Sequence, residues 1–128
     1  MPSYDADHAM PPAPFASVTV RNADTGKSIV DVPMLLDTGA DASLIPRIVA
    51  EALGVALEAA EGVRLVAYDG TTRLADAAQV DMIFLGTTYR GAFLLMDGTH
   101  GIIGRDILNQ RSLHLDGPRL LWNELPKP

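Results

Sequence analysis

The most constraining feature of this chain is an apolar run, Val32, Pro33, Met34, Leu35 and Leu36, that ends directly on Asp37, Thr38 and Gly39. A stretch that is apolar at successive positions reads as a strand buried on both faces. The run therefore carries a carboxylate to the end of a core strand. An isolated anion there is costly, so the position calls for a chemical reason.

The tripeptide alone says little, because Asp24, Thr25 and Gly26 spell the same residues thirteen positions earlier. That copy lies in a polar cluster, Arg21, Asn22, Ala23, Lys27 and Ser28, between Val18, Thr19, Val20 and the run beginning at Ile29. Such surroundings are hairpin turn chemistry, with glycine supplying a positive φ. Asp24 is expected in a turn and Asp37 in a site.

With 128 residues, 48% of them hydrophobic, the chain is expected to form one domain with a single core. A formal charge of −6 argues against nucleic acid as a partner, since that would need a clustered basic face. The absence of cysteine excludes disulfides, thiol nucleophiles and thiolate metal sites. Asp5 and Asp7 stand where a secretory signal would carry basic residues, and no apolar run reaches membrane-spanning length. The expectation is a soluble, cytoplasmic protein with no membrane partner, or a domain of a longer regulatory protein.

Residues 1–14 hold Pro2, Pro11, Pro12 and Pro14 and read as a flexible arm, leaving 15–128 as the folded unit. Strand patterns run through Phe15 to Val20, Ser28 to Leu36, Val63 to Ala67, Arg73 to Leu85 and Tyr89 to Met96. One helix is expected between Pro46 and Gly54, with Ile48, Val49, Ala52 and Leu53 facing the core. A shorter helix is expected from Gly104 or Arg105 to Asn109. Leu113 to Leu125 reads as a closing hairpin whose Leu120, Leu121 and Trp122 lean towards an interface. The class is mostly β, with one or two short helices.

Two facing carboxylates can share one proton, because like charges in contact cannot both ionise. The ionised member then activates a water while the protonated one hydrogen-bonds a carbonyl, so neither a cofactor nor a metal is needed. This chain offers one such Asp. A two-fold homodimer would supply the second by bringing Asp37 from each subunit together. Thr38 would brace the pair near the axis, and Gly39 would let the backbone turn and approach a substrate.

Downstream, Gly101, Ile102, Ile103, Gly104, Arg105, Asp106, Ile107 and Leu108 form a second motif. In order and separation from Leu35, Leu36, Asp37, Thr38, Gly39, Ala40 and Asp41, it resembles the retropepsin-type aspartic proteases, the single-domain family of retroviral proteases and their cellular relatives. The likeness runs in weaker form from about Phe15 to Leu115. It implies a closed β-barrel and a homodimeric aspartic endopeptidase acting on a peptide or protein substrate.

The resemblance also implies roles. Asp37, Thr38 and Gly39 would form the catalytic loop, and Ala40 and Asp41 would lie beside bound substrate. Arg105, with Gly104, would give structural support by pairing with Asp41, a task that suits the guanidinium fork. Tyr68, Asp69 and Gly70, followed by Thr71, fall at the position of a substrate-covering flap, although the glycine-rich viral flap sequence is absent. The pronounced helix after Pro46 and the long closing segment depart from the viral pattern of interleaved chain ends. His100, His114 and Asp116 fall short of a metal ligand set. A non-catalytic dimerisation or peptide-binding module on the same fold is the rival expectation.

Overall fold

The computed structural model describes residues 2–66 and 72–126. Ten strands and two short helices follow in the order β1 (Tyr4–Asp5), β2 (Ala13–Arg21), β3 (Ser28–Leu36), β4 (Leu44–Pro46), α1 (Arg47–Ala52), β5 (Leu57–Val66), β6 (Thr72–Phe84), β7 (Thr87–Met96), β8 (Gly101–Ile103), α2 (Arg105–Leu108), β9 (Leu113–Asp116) and β10 (Leu121–Glu124). Strands β2, β3, β8, β4, β7 and β6 are neighbours in that order, and β2 also pairs with β6, which closes a six-stranded barrel. β1 extends it beside β2, and β5 extends it beside β6.

Closure depends on one long-range seam, Thr19 to Arg21 against Asp81 to Ile83. There Asp81 is fully buried, and Arg90 and Arg21 both donate to its carboxylate at 2.8 to 3.3 Å. The guanidinium of Arg90, with that of Arg21 beside it, holds the Asp81 carboxyl down at about 2, against the desolvation that would raise it. The strands alternate as a barrel wall should. In β2, for example, Ala16, Val18 and Val20 turn inward to meet Met34, Met82, Phe84 and Leu95.

The Asp24 copy lies in a turn. The Asn22 side-chain oxygen accepts from the Asp24 and Thr25 backbone N–H groups, and the Asn22 carbonyl accepts from Gly26, whose φ is +78°.

Three expectations about packing are corrected. In α1 the buried residues are Val49 and Ala50, with Leu53 buried just past its end, whereas Ile48 is 57% exposed and Ala52 is exposed. Periodicity indicated a helix with an apolar side, but in only six residues the entry from β4 decides which side turns inward. Trp122 packs at home. It is 1% exposed, its ring lies 6.4 Å from Phe84, and its Nε1–H donates to the Phe15 carbonyl at 2.9 Å.

Residues 2–14, expected as a flexible arm, fold back onto the barrel. Tyr4 and Asp5 pair with Pro14 and Ala13, and Pro2 to Tyr4 also bond the tail hairpin. Asp5 closes a local loop by accepting from the backbone N–H groups of Asp7 and His8, and its other oxygen lies 2.7 Å from the His8 ring. His100 meets Phe15 and His8 edge to face, while His114 faces Asn123 across the tail hairpin. No described helix is long and apolar enough to cross a membrane.

Candidate active site

β3 and β8 run parallel, with Leu35 opposite Ile102 and Leu36 opposite Ile103, while β4 meets the other side of β8 through Leu44 and Ile102. The chain between β3 and β4, residues 37–43, must therefore pass over the end of β8. Asp37 begins that passage. Its backbone N–H donates to the Ile103 carbonyl at 3.0 Å, fixing the residue to the strand of the second motif.

Within the loop, the Gly39 N–H donates to Asp37 Oδ1 at 2.8 Å and the Ala40 N–H to the Asp37 carbonyl at 3.2 Å. These two bonds make a tight turn that orients the carboxylate while leaving it half-buried. A Cβ on residue 39 would stand 3.1 Å from Asp37 Oδ1, so any larger residue here would press on the carboxylate.

The crossing is also tight at Gly104. A Cβ there would meet the carbonyl oxygens of Ala42 at 2.7 Å and Ala40 at 2.9 Å. The two motifs are thus in direct backbone contact, which accounts for the glycine that opens α2. The Arg105 N–H donates to the Ala40 carbonyl at 2.9 Å, and its guanidinium donates to the Thr38 carbonyl at 2.7 Å. The expected pairing with Asp41 is not the one made. Arg105 braces the loop through its backbone oxygens, and Asp41 faces solvent.

A second brace went unassigned in the sequence. Ser43, 2% exposed, donates its hydroxyl to Asp106 Oδ1 at 2.6 Å and its N–H to Asp106 Oδ2 at 3.0 Å, and its Oγ accepts from the Gly104 N–H at 3.0 Å. The signal was available, since Asp106 follows Arg105 inside the second motif and Ser43 follows Asp41 after one alanine. Asp37, Thr38, Gly39, Ala40, Gly104 and Arg105 are all brought together. Tyr68, Asp69 and Gly70 lie outside the described residues.

A family model described as aspartyl protease matches residues 16–107, spanning both motifs. The chain belongs to the aspartyl protease family. The fold agrees with that membership in its retropepsin-like form. The EIAV protease, solved in complex with the inhibitor HBY-793, superposes with a TM-score of 0.59 at 23% identity, covering 77% of this chain and 86% of that one. No curated protein matches the chain.

Proposed function

We propose that the protein is an aspartic endopeptidase whose reacting pair is Asp37 from each of two identical subunits. The observation that carries the reading is Asp37 just beyond the end of β3, its backbone N–H donating to the Ile103 carbonyl and its carboxylate accepting from the Gly39 N–H within a family-matching loop. Membership of an aspartyl protease family supports the chemistry, and the single suitable carboxylate per chain supports the pairing.

In this mechanism one Asp37 is ionised and takes a proton from the attacking water, while its counterpart stays protonated and donates to the scissile carbonyl oxygen. The tetrahedral intermediate then collapses as a proton passes to the leaving nitrogen, with no covalent enzyme intermediate. The bond from the Gly39 N–H to Oδ1 keeps each carboxylate in place, and a fixed position is worth orders of magnitude in rate. Ala40 and Asp41, next along the loop, border an extended substrate. The extended peptide lies between the subunits, with backbone hydrogen bonds along its length and alternate side chains in pockets.

The test is peptide-library cleavage by wild type and Asp37→Asn, with circular dichroism and native mass as controls. Cleavage is expected to fall by at least about a thousandfold while fold and mass are retained. Undiminished cleavage by a clean Asp37→Asn preparation would sink the assignment. A shared proton also makes the rate bell-shaped in pH, falling on both sides of its maximum.

A further inference from the structure

We infer that the N-terminal segment from Asp5 to His8 is a wall of the substrate cleft beside Asp37, and that the facing imidazoles of His8 and His100 let this cleft accept an acidic side chain in mildly acid solution. The inference rests on the proteolytic reading of Asp37 and specifies which substrate side chains that site distinguishes.

Alternation along β3 separates two faces. Met34 and Leu36 turn to the barrel core, as does Ile103 opposite Leu36, so Leu35 turns the other way. The bond from the Asp37 N–H to the Ile103 carbonyl carries the ladder one residue beyond β3, which puts Asp37 on the face of Leu35. The neighbours of Leu35 on that face are Phe15, opposite it on β2, and Ile102, opposite it on β8. None of these three belongs to the core cluster. They form a separate apolar shelf that leads away from the Asp37 carboxylate.

Phe15 is nevertheless only 7% exposed, because two imidazoles lie against it. Its ring centre is 5.2 Å from that of His100 and 5.4 Å from that of His8, and the two imidazoles are 5.6 Å apart. His100 stands just before β8, two residues from Ile102 and in phase with it. Phe15 and His100 come from opposite sides of β3, so their contact arches over that strand, and His8 closes the arch from the arm. His8 is itself anchored. Asp5 Oδ1 accepts from the His8 and Asp7 N–H groups at 3.0 and 2.6 Å, Asp5 Oδ2 lies 2.7 Å from His8 Nδ1, and Asp5 pairs with Ala13 on β2.

The charged groups around the His100 ring decide what the wall accepts. His8 and Asp5 face it from the arm, with Asp7 beside them; Asp37 stands at the other end of the shelf; Asp97, earlier in the same loop, lies 3.4 Å from Arg47. Asp5 already serves His8, so a proton on His100 has no carboxylate of its own. Burial, and then His8, push the His100 imidazole below its usual 6.5, and only Asp5 pulls the other way. Near neutral pH the wall is therefore aromatic and uncharged, which suits an apolar side chain. A carboxylate brought onto the shelf by a bound peptide supplies the missing partner, so an acidic side chain binds together with a proton on His100. That gain grows as pH falls below 6.5, because charging the ring then costs less.

The experiment uses the full chain and peptides in which Leu is exchanged for Glu at each position near the scissile bond. Values of kcat/KM are measured at about pH 7.5 and about pH 5.5, where the peptide Glu stays ionised. The Glu-to-Leu ratio at one pH cancels the titration of the Asp37 pair, which both peptides share. At one position the ratio is expected to rise about tenfold on acidification. His100→Phe keeps a ring against Phe15 and His8 but removes the proton site, and should make the ratio independent of pH. His8→Ala takes the arm's ring off the wall, and should raise kcat/KM for Trp relative to Leu at that position by about fivefold. Should either variant fail to fold, the wild type decides. Its His100 ring resonance, followed by NMR, should titrate at higher pH with a reduced-amide Glu peptide bound than with the Leu form.

A wild type that cleaves peptide with a ratio indifferent to pH overturns the inference and leaves the Asp37 reading standing. A rise that persists in His100→Phe does the same, and unchanged Trp acceptance in His8→Ala removes the arm from the wall. A wild type that cleaves nothing, yet whose His100 titration moves up with the Glu peptide alone, supports the wall and removes the protease. Neither cleavage nor such a shift overturns both.

Discussion

Asp37 is held in position by small residues around it. Gly39→Ala would place a methyl group 3.1 Å from Oδ1 and turn the carboxylate out of alignment, at a cost of about tenfold to a hundredfold in kcat with little change in melting temperature. Gly104→Ala acts differently, because its Cβ would press on the Ala42 and Ala40 carbonyls, which are backbone and cannot swing aside. We expect a loss of about 1–3 kcal/mol in a urea titration, with cleavage falling as the loop shifts. At this scale the two copies of Asp, Thr and Gly were separable in the sequence, because their neighbours differ in polarity. The partner of Arg105 was not, since the choice between the Thr38 oxygen and the Asp41 carboxylate depends on the path of the loop across β8.

Element types were largely legible. The alternating and apolar runs became β2, β3, β6 and β7 within a few residues, and the helix framed by Pro46 and Gly54 formed. The phase of α1 was not legible, because a helix of six residues has too few positions for its pattern to fix which side is inward. This makes a clean test. Leu53→Ala, at a position 2% exposed, should cost about 2–5 kcal/mol by thermal or urea unfolding. Ile48→Ala, at a position 57% exposed, should stay within about 0.5 kcal/mol. Equal losses at the two sites would contradict the helix orientation.

For the whole molecule, closure of the barrel concentrates charge at one buried point. Asp81 has its carboxyl lowered from 3.8 to about 2 by Arg90 and Arg21, so it binds protons more weakly when folded than unfolded. Its stabilising contribution is therefore complete above pH 3.8 and is lost as pH falls from there through about 2. Melting temperature should drop over that window. The drop should be shallower in Asp81→Asn, which we expect to be less stable than wild type by about 1–3 kcal/mol near neutral pH.

Trp122, the one tryptophan in the chain, reports on the same global unit. Its emission should be blue-shifted, move to the red only with unfolding, and stay fixed on dilution through subunit dissociation, because the ring is buried within its own subunit.

What the sequence by itself determined is local in origin: strands from alternation and apolar runs, a turn at Asp24, and a carboxylate at the end of an apolar run, of which the fold buries Val32 and Met34 and leaves Pro33, Leu35 and Leu36 half-buried. Resemblance to the retropepsin-type proteases tied that carboxylate to a second motif, and the family match spans both. What only the tertiary structure decided depends on residues far apart in the chain. The β2 to β6 seam around Asp81, the Ser43 to Asp106 brace, and the folding of Pro2 to Tyr4 against Trp122 are contacts that no local window contains. Periodicity can say that a residue is apolar or placed at a strand end. Which other part of the chain meets it is decided by closure of the barrel, since only the closed wall leaves each inward side chain a single set of neighbours.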